Sequence, residues 1–198
     1  MNLELCLPLH RKSAWHEANW SIAHLLKRYP SETARLKTTA LEISGLFEGI
    51  FPILDQLCRR TCRFCPDPCC LKATIWYDVK DMLFMHLSGT KIPDAQILSG
   101  PGDVCRYVGP KGCLLERCAR PFVCTAYLCP PQLSLLRKHP IEDKKVAESI
   151  RLIKSGRTLI ENAFAAITGG GGNDNVCQSW DAKGKQAHRA RGMTRADL

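Results

Sequence analysis

The chain has 198 residues, 45% of them apolar, 24% charged and 12 of them cysteine, with a formal net charge of +9. That apolar share excludes wholesale disorder, and the length suits one compact domain with tails, at most two. No apolar run is long enough to span a membrane.

The opening MNLELCLPLHRKSAWHEANW has no uninterrupted apolar stretch and no small-residue cleavage site, so a cytoplasmic location is expected. From Ser13 to Tyr29, apolar residues recur at helical spacing (Trp15, Ala18, Ile22, Leu25, Leu26, Tyr29) and predict an amphipathic helix. Pro30 should close it, and Ser31 is placed to cap a second helix from about Glu32. Leu36, Ala40, Ile43, Phe47 and Ile50 give that helix one apolar face. Pro52 should kink or end it, and ILDQL adds a further turn before Cys58.

ATIWY, residues 73–77, reads as a short β-like run. Asp78 can cap a following helix, VKDMLFMHLS, that Gly89 terminates. The stretch from Lys91 to Gly112 is rich in Gly and Pro, and GPKG predicts a tight turn whose hairpin would bring Cys105 and Cys113 together. A long helix should start at Pro140, with Glu142 and Asp143 in its first turn. Its stripe is Val146, Ile150, Ile153, Ile160, Phe164 and Ile167, and Gly169 ends it. GGGG then reads as a flexible linker, and the basic remainder as a disordered tail. The expected organisation is N-terminal helices over 1–57, a cysteine-bearing middle over 58–131, a C-terminal helix of the same unit over 132–168, and a tail over 169–198. The fold class is therefore mainly α, with minor β and a loop-rich, metal-stapled cysteine-cluster core.

Nine cysteines crowd into three stretches: CRRTCRFCPDPCC (Cys58, Cys62, Cys65, Cys69, Cys70), CRYVGPKGC (Cys105, Cys113) and RPFVCTAYLC (Cys124, Cys129). In a reducing compartment such crowding reads as metal ligation rather than as a disulfide framework. The bland alternative is a set of buried thiols, which clustering argues against. Cys62 and Cys65 form a C-x-x-C pair that can reach one metal from one turn. Adjacent Cys69 and Cys70, if extended, point to opposite sides and would serve two metals, or one metal and a supporting position. With Cys105, Cys113, Cys124 and Cys129 these make eight thiolates, enough for two four-sulfur sites or one multinuclear cluster. Cys58 is left open as a further ligand, and Cys6, Cys118 and Cys177 fall outside the set. Zinc and iron both accept all-cysteine sites, and the single C-x-x-C knuckle tilts the reading toward an iron–sulfur centre over a zinc ribbon. Metal would supply part of the folding free energy of a middle segment poor in aliphatic residues.

The excess charge lies on the same segments: residues 58–70 carry a formal +2 and residues 101–139 a formal +4. Arg59, Arg60, Arg63, Arg106, Arg117 and Arg120 are placed to offset thiolate charge, so no nucleic-acid partner is expected. Cys58, Cys62 and Cys65 also have the C-x-x-x-C-x-x-C spacing of radical S-adenosylmethionine enzymes. Helices precede it and no strand–helix alternation follows, which sets that reading aside.

CRFCPDPCC, CRYVGPKGCLLE and ARPFVCTAYLC together resemble the YkgJ-type cysteine-cluster family of zinc- or iron-chelating domains, over residues 58–131. The resemblance implicates Cys62, Cys65, Cys69, Cys70, Cys105, Cys113 and Cys124, with Arg120-Pro121 as landmark and Cys129 where many members have another cysteine. One departure is the three-residue spacer between Cys65 and Cys69, where two are usual. A flagellin lysine methylase resembles the family through the same cluster, so a protein-modifying enzyme is one alternative. A zinc-stabilised module for nucleic acid or protein is another, with Lys183, Lys185, Arg189, Arg191 and Arg195 supplying contacts. The six histidines (His10, His16, His24, His86, His139, His188) are scattered, and no nucleophile-and-base spacing nominates a catalytic residue.

Overall fold

The structure is a computed structural model that describes residues 11–169 apart from positions 67, 101 and 111. Cys6, Cys177, His10, His188 and the expected linker and tail from residue 170 onward lie outside the described residues.

The described chain is mainly α with one small sheet. In order the elements are α1 (Lys12–Arg28), α2 (Pro30–Thr61), α3 (Cys69–Lys72), α4 (Val79–Ser88), β1 (Val108–Gly109), β2 (Gly112–Cys113), α5 (Phe122–Ala126), α6 (Pro130–Leu136) and α7 (Pro140–Thr168). The scaffold is α2 packed along α7, with α4 against both and α1 against α4. Their inward faces supply the core: Trp15 and Ile22, then Leu36, Ile43, Ile50 and Leu54, then Met82, Leu83 and Met85, then Val146, Ile153 and Ile160. Burying each such side chain contributes about 1.5–3 kcal/mol. The indole N–H of Trp15, fully buried, donates to the carbonyl of Pro93 at 2.8 Å, tying the loop after α4 to α1. Gly156 lets α2 and α7 approach closely, since a Cβ there would stand 3.0 Å from Cδ1 of Ile43.

Three local expectations are corrected. Ser31 does not cap α2, which starts at Pro30 as N1, two residues before the expected Glu32. A proline there loses no hydrogen bond, because the first helical N–H groups have no partner within the helix. Pro52 does not end α2, which continues to Thr61. Proline removes only the bond to residue 48, and Phe47, Ile50, Leu54 and Leu57 hold both sides of that point in the core. ATIWY forms no strand. The N–H of Tyr77 donates to the side-chain oxygen of Gln96 at 2.6 Å, and its carbonyl accepts from the Gln96 amide at 3.2 Å. One glutamine thus satisfies the backbone groups that a neighbouring strand would otherwise pair.

Other expectations hold. Asp78 caps α4 within a capping box completed by Asp81, and Gly89 ends the helix at φ 74°. α7 spans the expected range and ends at Gly169 with φ 71°. β1 and β2 form the expected hairpin, where Val108 pairs with Cys113 and Gly112 has φ 114°, a conformation that favours glycine. No described helix is long and apolar enough to cross a membrane.

Candidate metal centre

None of the ten described cysteines forms a disulfide. Because α2 runs on past Pro52, Cys58 and Cys62 lie one turn apart at its C-terminal end, on one face. Both sulfurs receive the same donor: Nε2 of Gln132 lies 3.5 Å from Sγ of Cys58 and 3.6 Å from Sγ of Cys62. Gln132 is buried, and its side-chain oxygen accepts the backbone N–H of Cys129 at 3.2 Å, as half of the capping box that starts α6. A guanidinium N–H of Arg117 also donates to Cys58, at 3.4 Å, while its Nε–H pairs with Asp55. Burial, then Cys58 and finally Cys129, push the Cys62 thiol up to about 11, with Thr61 acting the other way.

Cys69 and Cys70 occupy a single helical turn, α3, rather than the extended segment expected for them. Interaction between the two adjacent thiols splits them, so that Cys69 is pushed up and keeps its proton while Cys70 is held down at about 6, helped by Arg120. Beyond its neighbour, Cys69 feels the charges of Cys62 and Cys129.

The hairpin presents Cys113 on β2 and Cys105 just before β1, where the Cys105 carbonyl accepts from the N–H of Val108 at 3.2 Å. It is anchored to the core by Arg106 N–H on the Ile97 carbonyl at 3.0 Å and by the Tyr107 hydroxyl on the Ala95 carbonyl at 2.8 Å. Cys124 lies in α5 and keeps part of its surface in solvent. Crowding by its neighbours pushes its thiol up to about 12, followed by the charges of Cys113, Cys70, Cys105 and Asp81. Burial likewise raises Cys105, with Cys113 and Cys70 adding to it.

A buried ionic bracket fixes α5 to the scaffold. Arg157 on α7, 3% exposed, donates to Asp81 at 2.7 Å and to Asp78 at 2.9 Å, and stacks 4.8 Å over the ring of Phe122. Asp81 also accepts the backbone N–H of Phe122, the first residue of α5, at 2.9 Å. Burial pushes the Asp81 carboxyl up to about 7, and Asp78 adds to this, while Arg157 and two backbone N–H groups pull down.

Cys58 and Cys62 from the end of α2 and Cys129 at the start of α6 are thus tied to one residue, Gln132. Among the described residues, no three Cys, His, Asp or Glu side chains already close on one point as a metal ion requires. Within the expected ligand set, Cys62, Cys65, Cys69, Cys70 and Cys124 are exposed, and Cys105, Cys113 and Cys129 half-buried. Cys118 lies apart beside Glu116 and lines a cavity of about 260 Å³ with Phe47, Phe51 and Phe84. Of the arginines expected near the thiols, Arg117 and Arg120 act on them directly, and Arg106 acts on Cys105 while donating to Ser99 at 2.6 Å. Arg63 instead stacks on Phe64, and Arg59 and Arg60 are exposed. His86 is no candidate ligand, since it bonds Asn19 at 3.0 Å and burial pushes its pKa down.

Gln132 and Arg157 escape a reading of the sequence for cysteines, yet each leaves a signal. Gln132 stands three residues after Cys129 and opens an apolar run, the spacing of a capping box. Arg157 falls at helical spacing inside the stripe of Ile153, Ile160 and Phe164, where a buried cation must find an anion. Comparisons with protein-family models, curated proteins and solved structures find no match.

Proposed function

We propose that this chain is a metal-binding protein that holds zinc or iron, as an iron–sulfur centre in the latter case, through clustered cysteine thiolates, as the YkgJ-type resemblance implies. The observation that carries this reading is the richness in unpaired cysteines that lie close in pairs, above all Cys58 and Cys62, which share the amide of Gln132 at 3.5 and 3.6 Å. Neutral thiols gain little from such crowding, whereas a divalent cation or cluster neutralises the thiolates that crowding makes costly to ionise. The donor set is all sulfur, which suits zinc or an iron–sulfur centre and suits neither magnesium nor calcium. Arg117, which donates to the sulfur of Cys58, and Arg120, whose charge acts on Cys70, support a charge-balancing role for the local basic residues rather than contact with phosphates.

Elemental analysis and an absorption spectrum of the protein as purified test this reading. Bound zinc with no visible absorption, or iron with sulfide-to-iron charge-transfer bands, is the expected result. Protein that is folded and free of both metals would refute it.

A further inference from the structure

Cys58 and Cys62 share one amide nitrogen as hydrogen-bond donor, and Cys58 stands outside the set that the cysteine-cluster resemblance implicates. We propose that the two form a reversible thiol–disulfide pair, closed by a peroxide and reopened by a small thiol. This is a modification site of the chain's own sulfurs. It goes beyond the metal reading and does not depend on it.

Backbone and side chain both join the two residues. They lie four apart on one face at the end of α2, and the N–H of Cys62 donates to the carbonyl of Cys58. Their sulfurs lie 3.5 and 3.6 Å from Nε2 of Gln132. That amide is buried and fixed, since its oxygen accepts the N–H of Cys129. Four residues of α-helix set Cα atoms about 6 Å apart, inside the span of about 4.4–6.8 Å that a disulfide bridges. The Cβ atoms must still close by an ångström or two. The last turn can supply this movement: α2 ends at Thr61, and the chain tightens into a 3-10 turn from Cys62.

Other pairings are less well prepared. Cys69 and Cys70 are adjacent, so their Cα atoms are about 3.8 Å apart, too close for an unstrained bridge. In the hairpin, Cys113 is in register with Val108 rather than with Cys105. Gln132 reaches Cys58 and Cys62 and does not reach Cys65, the partner that C-x-x-C spacing would suggest. Cys62 is exposed and so open to a peroxide, with Cys58 half-buried beside it. A guanidinium N–H of Arg117 donates to Cys58 at 3.4 Å, a cation beside a sulfur that must react as thiolate. One thiolate attacks hydrogen peroxide, the O–O bond breaks, and that sulfur becomes a sulfenic acid as hydroxide leaves. The second thiolate displaces the sulfenic hydroxyl and the S–S bond forms. Two thiols thus give up two electrons and two protons, and the peroxide becomes two waters. Glutathione reverses the step through a mixed disulfide, leaving two protein thiols and glutathione disulfide.

The test uses the full-length chain as purified, treated with hydrogen peroxide, alkylated and mapped by mass spectrometry without reduction. Arg59 and Arg60 separate Cys58 from Cys62, and Arg63 separates Cys62 from Cys65, so tryptic peptides identify which sulfurs are joined. The Cys58–Cys62 link should be the first and most abundant disulfide in the parent, which requires no substitution to fold, and glutathione should remove it. In Cys58→Ser that link is lost, and Cys62 should be trapped by dimedone as sulfenic acid. A first link from Cys62 to Cys65, Cys69 or Cys129, or oxidation that leaves Cys58 a free thiol, would overturn the pair. Metal content of the same sample keeps the two readings apart. A Cys58–Cys62 link in folded protein that holds no metal upholds the pair and refutes the metal reading. Metal-bearing protein whose oxidation joins other cysteines refutes the pair alone.

Discussion

Replacing Arg157 with Met removes the cation that Asp81 and Asp78 share while keeping most of the aliphatic bulk of the side chain. Arg157 and Asp81 are 3% and 6% exposed at their side chains and 2.7 Å apart, so the substitution leaves a carboxylate with almost no access to water. Breaking a buried pair from one side costs about 3–5 kcal/mol. The lower end applies here, because Asp81 keeps the N–H groups of Phe122 and Asp78 and, with Arg157 gone, can take up a proton near neutral pH. A loss of about 3 kcal/mol in a domain of this size corresponds to a Tm lower by roughly 6–12 °C. The double variant R157M/D81N should recover much of this, since Asn accepts the Phe122 N–H without a charge, giving a coupling above about 1 kcal/mol. Thermal and urea unfolding followed by circular dichroism, with all variants in the same metal state, measure both quantities. An R157M protein within about 0.5 kcal/mol of the parent, or a double variant whose losses simply add, would refute the account of the bracket.

Two further outcomes follow from the same packing. Burial raises the Asp81 carboxyl to about 7, so the folded protein holds that proton more tightly than the unfolded chain, whose aspartates titrate near 4. The contribution of Asp81 to stability is therefore whole in acid and lost as pH rises through about 7. The parent's stability relative to D81N should fall between about pH 4 and pH 7 in urea unfolding and level off above, and a relative stability that rises over that window would contradict it. Gly156→Val should destabilise by about 1–3 kcal/mol, because a branched side chain must enter the space that Ile43 occupies at 3.0 Å; an unchanged Tm would show that the α2–α7 contact yields.

Elements whose signals are local were legible in the sequence. α4 has a cap, an apolar run and a terminal glycine within a dozen residues, and α7 has five turns of stripe between Pro140 and Gly169. The hairpin declared itself through GPKG. What local signals missed depends on partners distant in the chain. ATIWY has the composition of a strand but meets Gln96 in place of one. Pro52 has the chemistry of a terminator, yet the apolar residues flanking it commit α2 to the core on both sides. That continuation decides the geometry of the thiols, since it makes Cys58 and Cys62 neighbours on a helix face before the C-x-x-C pair begins. No spacing rule could supply Gln132, whose amide reaches Cys58 across 74 residues of sequence, or Arg157, whose partners lie 76 and 79 residues away.

X-ray absorption at the edge of the bound metal, on the full-length protein as purified, tests most directly whether these thiols hold it. The account predicts a first shell of sulfur alone, about four per zinc at about 2.3 Å, or the sulfur shell of an iron–sulfur centre. A first shell containing nitrogen or oxygen from the protein, or a folded chain with no metal to observe, would contradict it.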